Sequence, residues 1–154
     1  MPARLILPVL ALLVCGVAIP PARAHQADAK AVAKIHGGIV DCVGCNLRGA
    51  NLTNTCVKAH DLHGADFDGA NATLMCMSYA NFSGATFRGT ILDAANMAHA
   101  NLDGADLTGA KTAITAFKGT DLTKAKGLTQ SQRDAACSDS ETRVPAGLKI
   151  HTCD

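Results

Sequence analysis

The sequence predicts an all-β solenoid in which the chain turns once every five residues and closes a four-sided coil every 20 residues. Three observations lead to this prediction. Apolar residues recur every five residues from position 45 to 124, small residues keep a second fixed position in the same phase, and only 3% of all residues are aromatic. Helices and plain strands have periods of about 3.6 and 2 residues, so neither accounts for a period of five. The low aromatic content also argues against an ordinary sandwich or barrel core.

The repeat consists of 16 units of five residues between positions 45 and 124. The third position is Leu, Phe, Met or Val in 14 units, and the exceptions are Ala72 and Thr112. The first position is Ala, Thr or Cys in 14 units, and the exceptions are His60 and Met75. The second position is Asn or Asp in 10 units. We therefore expect the first and third positions to face the interior.

Four units form one coil, so residues 20 apart should stack, at about the 4.7–4.9 Å spacing of paired strands. The units ANLDG at 100–104 and ADLTG at 105–109 closely match the motif A-(D/N)-L-x-x. On this motif the repeat resembles the pentapeptide repeat family. The resemblance implies a right-handed quadrilateral β-helix of about four coils. It implies no particular activity, because the family is functionally diverse.

Residues 1–24 have the pattern of a secretory signal peptide. Arg4 supplies a positive charge, an apolar run extends from Leu5 to Ile19, and an A-x-A cleavage site follows. The apolar run is short for a membrane span, which needs about 20 residues. We expect cleavage before His25, no membrane span in the mature chain, and a periplasmic or secreted location.

The charge of the mature chain argues against two classes of protein. Cleavage removes Arg4 and Arg23 but no acid, so the net charge changes from +1 to −1. A nucleic-acid-binding protein normally carries a strong positive charge, and the gyrase-protecting DNA mimics of the family are acidic and cytoplasmic.

Two alternatives to cleavage stay open. One is an uncleaved helical anchor, and the other is lipidation at Cys15, which Val14 disfavours because a small residue is expected there.

Residues 125–154 are predicted to form a C-terminal helical cap and tail. The Thr-to-Gln pattern at 129–132 fits a capping box, which predicts a short capping helix over about 130–137. Similar lids, with one Cys after the helix and another at the terminus, occur in secreted pentapeptide repeat proteins. This resemblance pairs Cys137 with Cys153.

Residues 25–44 are predicted to form an N-terminal cap. The segment 27–34 could form a short helix that ends at Gly37-Gly38. Cys42 and Cys45 form a CxxC pair, which is followed by Asn rather than by the His of a c-type haem signature. Similar pairs precede the first unit in secreted members of the family, which supports a capping role.

The remaining cysteines leave alternatives open. Cys56 and Cys76 are one coil apart, which puts their Cα atoms within the 4.4–6.8 Å range of disulfides, but parallel side chains in register need not reach the preferred torsion. Cys42 and Cys45 could instead form a local disulfide, remain packed thiols, or bind zinc together with His36 and an inward His60.

Every fourth unit lies on the same side of the coil. We number the sides face 1 to face 4, from the units that begin at residues 45, 50, 55 and 60. Face 1 presents Arg48, Asp68, Arg88 and Thr108 in one column. This alternation of charge predicts an exposed ladder of ion pairs with a structural role.

Faces 2 and 3 hold the candidate interaction patch. On face 3, Tyr79 and His99 are one coil apart, close to the Cys pair, and form either a binding patch or ordinary surface variation. On face 2, Leu74, Ile91 and Ile114 occupy outward positions beside two small core residues. One interpretation is an exposed apolar patch for a partner or for self-association. The other is a local slip of the backbone register that turns Leu74 and Ile114 inward. We favour the slip.

These observations predict a non-enzymatic structural or protein-interaction module. The sequence has no GxSxG, HExxH, Walker or GxGxxG motif, and we expect no catalytic residue, cofactor or metal. The partner is an unknown protein or a second copy of the chain, not nucleic acid. The alternatives are a metal- or redox-responsive envelope protein that uses the Cys and His residues and, disfavoured, a gyrase-protecting DNA mimic.

Overall fold

The computed structural model describes residues 26–38 and 41–153. The predicted signal peptide and the cleavage site before His25 lie outside these residues. Helix α1 spans Ala29–His36 and helix α2 spans Gln130–Ala135. Between them the chain forms isolated parallel bridges instead of continuous strands. Neither helix of the described segments has the length and apolarity needed to cross a membrane.

Parallel bridges join the second residues of units that are one coil apart. Asn46 pairs with Asp66, Asp66 pairs with Thr86, and the same step of 20 residues recurs on all four faces. Each step uses two backbone hydrogen bonds: the N–H of Leu47 donates to the carbonyl of Asp66 at 2.7 Å, and that of Asp66 donates to Cys45 at 2.8 Å. The predicted four-sided coil with a 20-residue register is confirmed.

The first and third positions of the units fill the interior, as predicted. Phe67 and Phe87, one coil apart, stack with ring centroids separated by 4.9 Å. Phe82 meets both rings edge-on, at 5.7 and 5.4 Å. Leu107 continues the column of Phe67 and Phe87 and is fully buried. The third-position side chains therefore form one continuous apolar core along the axis.

The favoured slip on face 2 is wrong. Leu74 and Ile114 are 55% and 66% exposed, while Ala72 and Thr112 stay in the core. The backbone keeps its register, because the N–H of Ala72 donates to Ile91 at 2.8 Å, just as that of Leu52 donates to Asn71 at 2.7 Å one coil earlier. A slip would break such ladder bonds and leave buried amides without partners.

Met75 supplies the bulk that Ala72 lacks. It occupies the first position of the next unit, where a small residue is usual, and it is fully buried. Its N–H donates to the carbonyl of Ala72 at 3.1 Å, so the two residues belong to the same corner. An unbranched Met side chain adapts to irregular core gaps. Ala72 and Met75, two of the four exceptions to the repeat, therefore compensate each other.

Helix α1 begins two residues later than predicted and packs on the first coil. The side chain of Asp28 accepts a hydrogen bond from the N–H of Lys30 at 2.8 Å and forms the N-cap. The N–H of Asp28 donates to Asn46 of the first coil at 2.8 Å. Ala31 and Ile35 form the buried side of the helix.

Helix α2 carries the predicted capping box between Thr129 and Gln132 but ends at Ala135. It stops before Cys137 because that residue joins the coil: its N–H donates to Thr115 at 2.8 Å, and it bridges with Ala116. The amide of Gln132 donates to the carbonyls of Leu107 and Ala110, both at 2.9 Å. These bonds attach α2 to the last coil.

Arg133 of α2 is fully buried, which the sequence did not indicate. Its Nη1 donates to Ser138 Oγ at 2.7 Å, while Nε and Nη2 have no hydrogen-bond partner among the residues that the structure describes. Burial lowers the pKa of this guanidinium below its usual value.

Ion pairs hold face 1 together, as the charge pattern predicted. Arg48 Nη1 lies 2.9 Å from Asp68 Oδ2, and Arg88 Nε lies 3.9 Å from the same atom. Two second-position acids, absent from the predicted ladder, strengthen it: Asp66 pairs with Arg48 at 2.9 Å and Asp106 pairs with Arg88 at 3.0 Å.

The second-position Asn and Asp residues hold the corners by accepting the backbone N–H two residues ahead. Asp66 accepts the N–H of Asp68, and Asp106 accepts that of Thr108, each at 3.0 Å. The pKa of Asp106 is lowered by the Thr108 hydroxyl and N–H. Burial raises the pKa of Asp66, but hydrogen bonds from Asp68 and Arg48 outweigh it, so the net pKa falls.

The Met75–Ala72 compensation can be tested by a double-mutant cycle. Met75→Ala should lower the free energy of unfolding by about 2–5 kcal/mol, because it leaves a core cavity. Ala72→Leu alone should destabilise by about 1–3 kcal/mol through overpacking. In the double variant Leu fills the cavity, so urea unfolding should show a smaller loss than that of Met75→Ala. Strictly additive losses would show that the two side chains do not share one space.

Asp106 should make stability depend on acidity. Its folded-state pKa lies below the ordinary 3.8, so its contribution is complete above about pH 5 and is lost as the pH falls through the folded value. Asp106→Asn keeps an amide oxygen for the corner N–H but does not titrate. Its urea midpoint should therefore fall less than that of the wild type between pH 5 and 3.

If the urea midpoints of Asp106→Asn and the wild type fell equally between pH 5 and 3, this role of Asp106 would be contradicted.

Candidate interaction surface

All six described cysteines are paired in disulfides. The bonds join Cys42 to Cys45, Cys56 to Cys76, and Cys137 to Cys153, with Cα–Cα distances of 5.4, 4.4 and 5.2 Å. Both pairs that the sequence left open, Cys42 with Cys45 and Cys56 with Cys76, are thus joined. The Cys56–Cys76 bond links the first two coils across face 3.

The zinc alternative loses its ligands in this arrangement. Cys42 and Cys45 are bonded to each other. His60 does not point inward as expected: its side chain is 40% exposed, with Nδ1 3.4 Å from Asp41 Oδ1. An imidazole without a partner in an apolar core would be costly. The described part of the chain contains no group of three or more His, Cys, Asp or Glu residues arranged to hold a metal.

From residue 49 to residue 119 the backbone turns each corner through a left-handed residue at the fifth position of the unit. On faces 1 and 4 this residue is glycine, from Gly49 to Gly109, with φ between 62° and 71°. Faces 2 and 3 place side chains on the same conformation, except at Gly119. The residues with positive φ on these two faces that are not glycine are Asn54, Ala59, Leu74, Tyr79, Ala94, His99 and Ile114.

These corners carry the large exposed apolar side chains of the solenoid. Leu74, Tyr79 and Ile114 are 55%, 57% and 66% exposed. The other exposed large apolar residues of the described segments, Val43 and Ile150, lie outside the repeat. The sequence named these residues as a candidate patch on faces 2 and 3, but it favoured an inward turn of Leu74 and Ile114. It did not show that each side chain sits on a left-handed backbone, which the period-five phase with its frequent fifth-position glycines could have indicated.

Tyr79 and His99 stack at the corner between faces 3 and 4. Their ring centroids lie 4.9 Å apart with an interplanar angle of 19°. Lys58 Nζ lies 5.7 Å from the Tyr79 centroid, on the neighbouring coil. The His99 ring occupies the space that a Cβ on Gly119 would need. The column therefore presents ring edges, not ring faces, to solvent.

Leu74, Ala94 and Ile114 follow one another on successive coils at the corner between faces 2 and 3. Two coil steps of about 4.8 Å separate the larger residues. Ala94 lies between them, and Ile91, which is half-buried, precedes it on face 2. We call these four residues the apolar notch, because a small residue lies between two exposed large ones.

Charge is divided between the two sides of the solenoid. Between residues 45 and 124, faces 1 and 4 carry six acids and three basic residues, a net charge of −3. Faces 2 and 3 carry Lys58, Lys111, Lys118 and the single acid Asp93, a net charge of +2. Asp93 Oδ1 accepts the N–H of Ala113 at 3.0 Å. The apolar notch and the aromatic stack thus lie on the basic side.

A family model described as pentapeptide repeats matches residues 45–78 and 76–111 with 8 copies of the repeat. A search of curated proteins found no match.

Solved structures of pentapeptide repeat proteins are similar to this chain. HetL, from the cyanobacterium Nostoc sp. PCC 7120, is 25% identical with a TM-score of 0.45, over 71% of this chain and 54% of HetL, so the chain spans about half of HetL. A protein of the Arabidopsis thaliana thylakoid lumen is 26% identical, with a TM-score of 0.34, over 79% of this chain and 88% of that one. Rfr23 from Cyanothece 51142 is 22% identical, with a TM-score of 0.34, over 67% and 90%.

The motif, the 20-residue bridge register and the family model agree on one conclusion. The repeat region of the chain, residues 45–111, belongs to the pentapeptide repeat family.

Proposed function

We propose that this protein is a non-enzymatic interaction module that acts in the periplasm or outside the cell, and that it binds a partner protein through faces 2 and 3. In this proposal the solenoid has four coils, with the α1 segment and α2 as its caps. One observation carries the proposal: Leu74, Tyr79 and Ile114 are exposed on left-handed backbone on the same two adjacent faces.

Backbone strain supports a binding role for this surface. A left-handed residue other than glycine costs about 1–2 kcal/mol, and Ile114, with φ of 50°, is β-branched and therefore strained most. The fold does not require these residues, because faces 1 and 4 turn the same corner with glycine. Strained residues tend to cluster at functional sites, and exposed apolar patches tend to mark interaction sites.

An oxidising location is supported by the cysteines and by the N-terminal pattern. The six described cysteines are all bonded, and structural disulfides form and persist mainly in the periplasm or outside the cell. Residues 1–24 have the composition of a signal peptide.

A redox-responsive role is the second candidate. Cys56 is exposed, and its bond to Cys76 lies at the start of face 3. Accessible disulfides can exchange with small thiols. In this role, reduction of the bond would loosen the first two coils and change partner binding.

Export predicts a defined processed product. When the full chain is expressed in a bacterium with a periplasm, intact mass of the periplasmic fraction should correspond to a protein that begins at His25 and has no free thiol. Replacing Ala24 with Leu should block cleavage and leave the precursor with the membranes. Unprocessed chain in the cytoplasm, or a lipid on Cys15, would contradict the proposed location.

Glycine substitutions should separate stability from binding. Leu74→Gly and Ile114→Gly relieve the left-handed strain, so each should raise the free energy of unfolding by up to about 1 kcal/mol. Binding should weaken, because each change removes an apolar contact. Stability is read from urea unfolding, and binding from photo-crosslinks formed in the native envelope by p-benzoylphenylalanine at position 79.

Asn54→Gly is the control, since Asn tolerates this conformation, and both of its readouts should match the wild type. A crosslinker at Lys124 on face 4 should capture nothing. Crosslinks from Lys124 but not from position 79, or crosslinks unchanged in both glycine variants, would contradict the assignment of faces 2 and 3.

A further inference from the structure

We infer that the occupant of faces 2 and 3 is an extended segment of another protein with the pattern acid-x-aliphatic-x-acid. Its aliphatic side chain enters the apolar notch, and its two carboxylates meet Lys111 and Lys118. This inference rests on the proposed function, because it specifies the partner chemistry of the same surface.

The apolar notch has room for one aliphatic side chain. Leu74 and Ile114 are two coils apart, about 9.6 Å at the usual strand spacing, and Ala94 between them adds only a methyl group. The larger two are 55% and 66% exposed. A Leu or Ile inserted above Ala94 would contact both, with Ile91 beside it, and would cover apolar surface that is now in water.

Lys111 and Lys118 flank Ile114 in the same coil. Lys111 lies on face 2 and bridges with Ile91 of the notch, and Lys118 lies at the far corner of face 3. Neither lysine has an ion-pair partner within 4.0 Å among residues 26–38 and 41–153. Their long stems let the ammonium groups reach toward a ligand that lies across the notch.

An extended peptide reproduces this order of contacts. Side chains at i, i+2 and i+4 point to the same side of an extended chain, about 6.6–6.8 Å from one to the next. An acid, an aliphatic residue and a second acid in these positions therefore match Lys111, the notch at Ala94 and Lys118. The lysines lie one coil beyond Ala94, and their long stems span that step. Within residues 45–124 the surface carries a net charge of +2. The neighbouring carboxylate of Asp139 is engaged by the N–H of Gly119 at 2.9 Å. The surface therefore favours an acidic segment by charge complementarity.

A second copy of the chain does not supply this pattern. The acids of faces 1 and 4 already have partners: Asp66 and Asp68 with Arg48, Asp106 with Arg88, and Asp103 with Lys124. Within residues 45–124 those faces also present no exposed large apolar side chain. A docked copy would therefore offer engaged acids and nothing to fill the notch.

Nuclear magnetic resonance of the purified, disulfide-bonded protein tests the inference, because it detects weak binding and locates it. The probe is the peptide Ser-Glu-Thr-Leu-Thr-Glu-Ser, titrated against amide spectra. The matched peptides replace both Glu with Lys, or Leu with Ser. We expect the acidic peptide to shift the amides of Ile91, Ala94, Lys111 and Ile114, and both matched peptides to bind at least about fivefold more weakly.

Variants then assign the contacts. Lys111→Gln combined with Lys118→Gln should weaken binding of the acidic peptide about fivefold. Ile114→Asn, which keeps a residue that accepts left-handed backbone, should weaken it at least as much. Lys124→Gln on face 4 should leave the affinity unchanged. Retained amide spectra show in each case that the variant is folded.

Other outcomes overturn the inference. These are equal shifts from the Lys peptide, no shift with the acidic peptide, dilution-dependent shifts on both sides of the solenoid that reveal self-association, or binding to phosphatidylglycerol vesicles that the acidic peptide does not displace. If crosslinks from position 79 persist while the acidic peptide gives no shift, the inference fails and the proposed function stands. If those crosslinks are also absent, both fail.

Discussion

A left-handed corner once per five residues is the constraint on which the rest of the structure depends. It turns the chain from one side of the square to the next, so backbone amides meet carbonyls one coil away, as between Leu47 and Asp66. It also leaves two residues of each unit inside and three outside. The Asn or Asp at the second position satisfies the corner N–H that the turn exposes. Core composition, surface columns and disulfide geometry all follow from this step.

The backbone ladder, more than side-chain hydrophobicity, sets the register. This explains which sequence predictions were correct. Residues 20 apart do stack, so the 20-residue spacing predicts the Phe67–Phe87 and Tyr79–His99 contacts. It also brings Cys56 and Cys76 together, but it left their bond open. The slip on face 2 was wrong because it gave burial of Leu74 priority over ladder bonds, although Met75 could fill the space.

Local competition decides the details that the period could not predict. Cys137 leaves the expected helix because the ladder under Ala116 offers its amide a partner. His60 is the first residue of its unit, a position that normally faces the core. Its side chain turns toward Asp41 instead, because an imidazole without a hydrogen-bond partner in the apolar core would be costly. Arg133 shows the opposite case, a buried guanidinium whose bond to Ser138 depends on the fold of the tail. None of these choices has a signature of its own in a repeat of five.

Faces 1 and 4 and faces 2 and 3 differ in the residues that they place at the left-handed corners. Glycine corners and ion-paired acids make faces 1 and 4 a scaffold, whereas faces 2 and 3 accept strain at Leu74, Tyr79 and Ile114. The Cys56–Cys76 bond, the Tyr79–His99 stack and the ladder join neighbouring coils on the strained side. The backbone that carries its side chains is therefore held in place before a partner arrives. Binding to such a surface costs less conformational entropy than binding to a mobile loop. The strained corners thus lie on a backbone that is already ordered for binding.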